Sequence, residues 1–515
     1  MSSRFPGDVL RRPVSLGFDL VLAPTVGALQ TAAFVYTEAW WLQMACVALL
    51  AWRVSVAAPW RAAALGMAFG TAWVAASTWW LFISLNHYGG LPAWMAVLAV
   101  AGLSAFLSLY LGAASYAFAR WRNGRPFADA LSFAALWLLA ELARGVIFSG
   151  FPWAASGYAH VDGPLVALAP WIGVYGIGFV AALLSAWVAL ALASHASPWP
   201  GLIGSAGVLV AAAVSSVAFT RPTGTLSVTL LQGNVPQEEK FASERQGAAL
   251  EWHANGLLAA RSDLVIAPET AVPFLPQQMP AEFWPALRSG FAVGTTHALF
   301  GVPLGDEQAG YTNSAVGFAP GREGEYRYDK HHLVPFGEFI PTGFRWFTRM
   351  MDIPLGDFNR GALDQPSFVV KGERIAPNIC YEDLFGEELA QRFIDPAKAP
   401  TMFANISNIG WFGDTIAIDQ HLHISRMRSL EFERPMLRAT NTGATVVIDH
   451  RGRVTQSLKP YTRGVLDANA QGREGLTPYA WWASRCSLWP LAAFSVALLL
   501  VLRVIPRADG GPSDS

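Results

Sequence analysis

The chain has 515 residues, of which 53% are hydrophobic and 14% charged, with a formal net charge of −1. Soluble domains carry roughly 25% charged residues, so a wholly soluble protein is excluded, and the near-zero charge argues against nucleic acid or another polyanion as partner. The three cysteines, Cys46, Cys380 and Cys486, show no zinc-type spacing and argue against a disulfide framework.

Arg4, Arg11 and Arg12 precede a first apolar run that has no convincing small-residue cleavage site, so it reads as a retained anchor. A spanning helix needs roughly 20 apolar residues. Seven such spans are expected within residues 1–220, at about 15–34, 38–57, 62–85, 92–119, 128–147, 166–194 and 200–219, and an eighth at about 485–505 within 484–507. The arginines before span one, Arg53 and Arg61, Arg120, Arg122 and Arg125, and Arg503 and Arg507 all fall on one side for a count of eight. That side is then cytoplasmic by the positive-inside rule, and residues 221–483 lie outside the cytoplasm. The 21 tryptophans suit many membrane interfaces. Glu141 and Arg144, near the outer end of span five, read either as an ion pair or as a headgroup contact. Residues 508–515 read as a disordered tail.

Residues 221–483 have ordinary soluble composition and alternate strands with helices. Strands are expected at 226–235, 263–268, 298–304, 313–319, 374–380, 401–406 and 444–449, and helices at about 242–261, 281–289, 383–394 and 418–434. This pattern points to a layered α/β domain.

Three segments of this region carry candidate chemistry. In LVIAPETAVPF, Glu269 closes an apolar strand, where a carboxylate can act as a general base or be a plain solvated loop residue. In YDKHHLVPFGEFIP, Lys330 precedes His331 and His332, which lack a third metal ligand at ordinary spacing and read as structural hydrogen-bonding groups, as do His421 and His423. In NICYEDLF, Cys380 is expected at a strand-to-helix turn, where the dipole of a helix over 383–394 would favour the thiolate; the bland alternative is a small core residue. Apolar stretches, VPFLP at 272–276, FRWFTRMM at 344–351 and NIGWFG at 408–413, interrupt the polar domain. The second mixes Arg with aromatics and Met, which suits a membrane interface and a mobile lid.

The order Glu269, Lys330 with Pro-Phe-Gly-Glu after it, and Cys380 with Tyr-Glu-Asp after it resembles the nitrilase, or carbon–nitrogen hydrolase, superfamily. ISNIGWFGDT and RPMLRATNTG also fit. Joined to the eight spans, HYGGLP, RGVIFSGFPWAASGYAHVDGP and QGNVPQEEKF, the chain resembles the apolipoprotein N-acyltransferase family over nearly its whole length. Two positions depart from that pattern: Phe241 where the family often has Trp, and Ile409 where it often has Asp.

The resemblance implies a polytopic membrane domain and an αββα nitrilase-like sandwich in the periplasm of a bacterial inner-membrane protein. It implies a Glu269–Lys330–Cys380 triad. Beside that triad, Glu338 and Glu382 read as holders of Lys330 or as plain structural acids, the backbone near Tyr381 as a second oxyanion donor, and Phe241, Trp346, Phe347, Met350, Met351, Trp411 and Phe412 as lipid contacts, with ordinary core the alternative for the apolar segments. A phospholipid would acylate Cys380, and the α-amine of a diacylated lipoprotein N-terminus would take the acyl group, with no metal or organic cofactor. The rival readings are a membrane-anchored amidase or nitrilase and a transporter with an inactive extracytoplasmic domain.

Overall fold

The computed structural model describes residues 15–506, other than 195–196, 198, 215–216, 241–242, 323, 342, 344–356 and 505. The chain forms two compact units: the described parts of Met1–Trp79, Val97–Val217 and Leu488–Ser515, and those of Trp80–Ala96 and Ala218–Ser487. Residues 80–96, expected to close one span and open the next, therefore cluster with the α/β region.

The first unit is helical: α1 (Leu16–Leu29), α2 (Trp40–Val56), α3 (Pro59–Thr78), α4 (Ala93–Trp121), α5 (Pro126–Val146), α6 (Ala169–Ala193), α7 (Trp199–Val214) and a C-terminal helix Trp489–Arg503. Proline opens α3 and α5 at a position whose N–H has no helical partner to lose. Among the described residues five helices are long and apolar enough to cross a membrane, and up to 7 if each of two bent pairs counts as one span. Of the eight expected spans, the one at 200–219 is outside that count because α7 has 16 residues, and the 15-residue C-terminal helix enters it only together with Pro478–Cys486 before it. At 1.5 Å per residue they extend about 24 and 22 Å, against a hydrocarbon core of about 30 Å. The C-terminal helix starts at Trp489 rather than near 485, because Ser487 takes a left-handed φ of 49°.

Two sets of buried charges in this unit are paired. Asp19 accepts from Arg53 at 2.8 Å and Arg61 at 2.6 Å. Glu141 and Arg144 form an ion pair at 3.3 Å, so of the two readings offered for them the pairing is the one seen. They also hold the chain that follows α5, since Ser156 donates its N–H and hydroxyl to Glu141 and Arg144 donates to the Ala154 carbonyl.

The second unit is built on two six-stranded sheets. One runs β12-β1-β2-β3-β4-β5 with β1 (Arg221–Gln232), β2 (Leu264–Ile266), β3 (His297–Asp306), β4 (Gly310–Phe318), β5 (Tyr326–Asp329) and β12 (Gly464–Glu474). The other runs β11-β10-β9-β8-β7-β6 with β6 (Phe368–Val370), β7 (Glu373–Ile379), β8 (Met402–Ser407), β9 (Met436–Thr440), β10 (Val446–Ile448) and β11 (Val454–Ser457). Each has a parallel centre, β1-β2-β3 and β7-β8-β9, with antiparallel flanks.

Period-2 alternation explains the layers. Leu226, Val228, Leu230, Leu264 and Ile266 meet Ile375, Ile379, Met402, Ala404 and Ile406 in one core between the sheets. The intervening Leu231, Val265 and Phe300 face helices α8 (Ser243–Ala259) and α9 (Phe283–Ala292), whose Leu257, Leu287 and Phe291 close that layer. Phe403 and Met436 face α10 (Ala417–Phe432) and α11 (Pro478–Cys486) through Ile418, Phe432, Tyr479 and Ala483. The result is a four-layer αββα sandwich.

The helix expected over 383–394 is instead a 3-10 turn Cys380–Leu384, a short α-helix Gly386–Leu389 and a second 3-10 turn Ala390–Phe393. Phe385, at φ −104° and ψ 78°, breaks it. Gly386 lies so close to the Arg428 guanidinium that no Cβ would fit.

Candidate active site

Glu269, Lys330 and Cys380 come together at the carboxyl ends of β2, β5 and β7, the end at which open α/β sheets bind their ligands. Glu269 sits in the tight loop after β2, which lies directly on β3. A Cβ on Gly301 would stand 2.5 Å from the Thr270 amide nitrogen and 2.6 Å from Glu269 Cα, so glycine is required there by close approach. Glu269 Oε1 accepts from Asn313 Nδ2 at 2.7 Å and from Lys330 Nζ at 3.4 Å, and Oε2 accepts the Asn408 N–H at 2.9 Å.

Lys330 is 1% exposed. Its N–H donates to the Asn313 carbonyl, which fixes the chain as it leaves β5. Its ammonium donates to Glu338 Oε1 at 2.8 Å, and Glu338 is held in turn by Asn313 Nδ2 and the Val334 N–H. Burial alone would lower the ammonium, but Glu338 and Glu269 outweigh it and hold Lys330 above the ordinary lysine range. Lys330 is thus a permanent cation.

Cys380 closes β7 with a left-handed φ of 51°, a conformation that costs about 1–3 kcal/mol outside glycine and turns the side chain out of the sheet. Burial pushes its thiol up to about 12, Glu269 pushes it the same way, and Lys330 and Ser407 oppose. This corrects the expectation of a thiolate favoured by a helix dipole, because the helix is absent and desolvation dominates. Cys380 therefore rests as a thiol, and to act as a nucleophile it would need a base. Alkylation of Cys380 by iodoacetamide in the lipid-free enzyme, followed by peptide-resolved mass spectrometry, is accordingly expected to keep accelerating above about pH 10. A plateau near pH 7 would reveal a resting thiolate.

Glu382, a candidate with Glu338 for holding Lys330, is turned to other partners. Its actual contacts are with backbone: it accepts the N–H groups of Ile379 at 2.6 Å, His331 at 2.6 Å and His332 at 3.2 Å, and the Tyr328 hydroxyl. It clasps the Cys380 turn to the Lys330 loop, with its carboxyl raised by burial against those hydrogen bonds. The Tyr381 ring packs against His332 and Phe385.

Trp411 and Phe412 lie in the 3-10 turn Ile409–Phe412, against Tyr88 and Trp80 respectively. Ile409 is core. Val272 of VPFLP is buried in the layer under α8 and α9. Phe241, Trp346, Phe347, Met350, Met351 and the expected lid lie outside the described residues. His331 and His332 engage the Gly361 carbonyl and Glu388, and among the described residues no group of three or more His, Cys, Asp or Glu could hold a metal ion.

Sequence reasoning missed Asn313 and Asn408, which orient Glu269. Asn313 lies mid-strand in YTNSAV, where a polar residue on an inward position is the available signal. Asn408 acts through its backbone, which leaves no signal.

The N-terminal domain model of apolipoprotein N-acyltransferase matches residues 26–187, and the carbon-nitrogen hydrolase model matches residues 227–479. Among similar proteins, an apolipoprotein N-acyltransferase of Verminephrobacter eiseniae is 52% identical over 92% of this chain and 94% of its own length. One of Ralstonia nicotianae is 48% identical over 90% of each chain. One of Pseudomonas putida is 37% identical over 93% of this chain and 95% of its own. With both domain models matched in order and identity at this level along nearly the whole length, the chain belongs to the apolipoprotein N-acyltransferase family.

Proposed function

We propose that the chain N-acylates the N-terminal diacylglyceryl-cysteine of lipoproteins, taking the acyl group from a phospholipid through a thioester on Cys380. The observation that carries this reading is the gathering of the Cys380 thiol with a buried carboxylate, Glu269, and a buried ammonium, Lys330, paired to each other at 3.4 Å.

Glu269 takes the thiol proton as sulfur attacks the ester carbonyl. Lys330, kept charged by Glu338, faces the oxyanion, with the N–H that follows Cys380 as a second donor. The tetrahedral intermediate expels the lysophospholipid alkoxide, which takes the proton from Glu269. The lipoprotein α-amine then attacks the thioester, Glu269 removes its proton, and the departing sulfur takes it back. Trp411, Phe412, Phe241 and the 344–351 segment are the proposed acyl-chain contacts.

Residues 1–220 and 484–507 are proposed as the membrane domain, crossing a bacterial inner membrane eight times, with 221–483 as the periplasmic catalytic domain. Two groupings within the first unit support the arginine sidedness: Arg53 and Arg61 share Asp19, and Arg503 lies 3.9 Å over the Trp121 ring, beside Arg120 and Arg122.

Intact mass spectrometry tests the reading. Incubation with phospholipid should add a hydroxylamine-labile acyl mass to Cys380 that passes to the amine of a diacylglyceryl-cysteine peptide. Release only to water would indicate a hydrolase, and absence of any adduct would remove the role given to Cys380.

A further inference from the structure

The buried polar side chains behind Cys380 have no part in the chemistry above. Asp383, His421, Ser425 and Arg438 are each 0–1% exposed and come from three elements: the turn after β7, α10 and β9. Arg438 donates to His421 Nδ1 at 2.8 Å and to the His421 carbonyl at 3.0 Å, and reaches the Ser425 hydroxyl. His421 Nε2 lies 2.9 Å from Asp383 Oδ1 and 3.3 Å from the carbonyl oxygen of Cys380. Asp383 also accepts from Ser425 at 2.5 Å and lies 3.6 Å from Arg438.

Hydrogen-bond logic fixes the tautomer. A guanidinium has donors and no acceptor, so His421 Nδ1 must offer its lone pair to Arg438. The ring proton is then on Nε2, shared between Asp383 and the Cys380 carbonyl. A second ring proton would face the Arg438 N–H, so the ring is neutral. Burial and the Arg438 charge hold His421 below the ordinary histidine range in agreement with this. Asp383 stays ionised, because His421, Arg438 and Ser425 together overcome the upward push of burial.

The target of this arrangement is the strained point of the site. Cys380 has a left-handed backbone, and among the described residues its carbonyl accepts from Asn405 Nδ2 at 3.2 Å and His421 Nε2 at 3.3 Å. We propose that His421, oriented by Arg438 and Asp383, is a positioning residue that holds the Cys380 backbone in its left-handed conformation and so aims the sulfur at the ester. The proposal rests on the reading of Cys380 as the nucleophile. It also explains why a buried ion pair is retained here, since such a pair is weak as a source of stability alone.

The test is the single-turnover rate of Cys380 acylation by phosphatidylethanolamine in detergent, followed by intact mass in the full-length enzyme. His421→Leu removes the donor and the Arg438 acceptor and is expected to slow acylation by about 10- to 100-fold, the scale of a misplacement near 1 Å. His421→Gln, whose carboxamide can accept from Arg438 and donate to the Cys380 carbonyl, is expected to recover the rate to within about threefold of wild type. A role confined to core packing would not discriminate the two variants at equal thermal midpoints. Wild-type acylation by His421→Leu, or equal loss in both folded variants, overturns the proposal. If His421→Leu does not fold, His421→Phe, which keeps the ring and deletes both nitrogens, decides: an unchanged rate overturns the proposal and a fall of about tenfold supports it. Acyl transfer without an acyl-Cys380 adduct would sink the proposed function itself, whereas a fast, acylated His421→Leu enzyme sinks only this inference.

Discussion

Replacing Lys330 by methionine is expected to slow Cys380 acylation by about 100- to 1000-fold, the range measured when an oxyanion donor is removed, and to destabilise the catalytic domain by about 3–5 kcal/mol. Both effects have one origin. Lys330 is 1% exposed and neutralises Glu338 at 2.8 Å and Glu269 at 3.4 Å. Methionine keeps the volume and removes the charge, leaving two buried carboxylates that share Asn313 and repel one another. The sign of the pH dependence follows from the raised ammonium. Its stabilisation is fully present below the unfolded lysine value of 10.5 and is lost only as pH climbs through the higher folded value. The gap in unfolding free energy between wild type and variant should therefore be level from about pH 7 to 9. Thermal and denaturant unfolding in detergent, run beside the acylation assay, check both parts; a variant as stable as wild type would mean that the carboxylates do not depend on Lys330.

Glu269→Gln is expected to cost about 100- to 10,000-fold in acylation, the span associated with general acid–base groups, while leaving the enzyme folded. With a thiol pushed up to about 12, unassisted ionisation supplies almost no thiolate at neutral pH. The amide also fits poorly as an isostere. Glu269 receives hydrogen bonds on both oxygens, from Asn313 and Lys330 on one and the Asn408 N–H on the other, so any orientation of an amide sets its NH2 against a donor. Because the variant depends on free thiolate, its residual rate should rise about tenfold per pH unit up to at least about pH 9. A pH-independent residual rate near wild type would show that another group takes the proton.

Glu269 and Cys380 were legible because each closes or follows an apolar run that reads as a strand, whereas Lys330 follows YRYD, too short and polar to read as one, and stood out only by the segment around it. The inter-sheet core was legible for the same reason, since Leu226, Val228 and Leu230 alternate as a half-buried strand must. Strands β5, β6 and β11 are only three or four residues long and carry too little periodicity to stand out. β12 is an edge strand whose GVLDANAQGRE leaves polar residues on its open face. β9 hides Arg438, which looks like a surface residue until its partners on α10 and after β7 are in place.

The sequence by itself determined the apolar helices, the alternation that makes two packed sheets and the identities of Glu269, Lys330 and Cys380, because hydrophobic periodicity and residue chemistry are local properties. Only the tertiary structure decided how those residues behave. It replaced the helix after Cys380 with 3-10 turns, buried the thiol so that it rests protonated, and set Glu338 on Lys330 while turning Glu382 to the backbone. Desolvation and hydrogen-bond geometry depend on which distant strands meet, and no window of sequence carries that information.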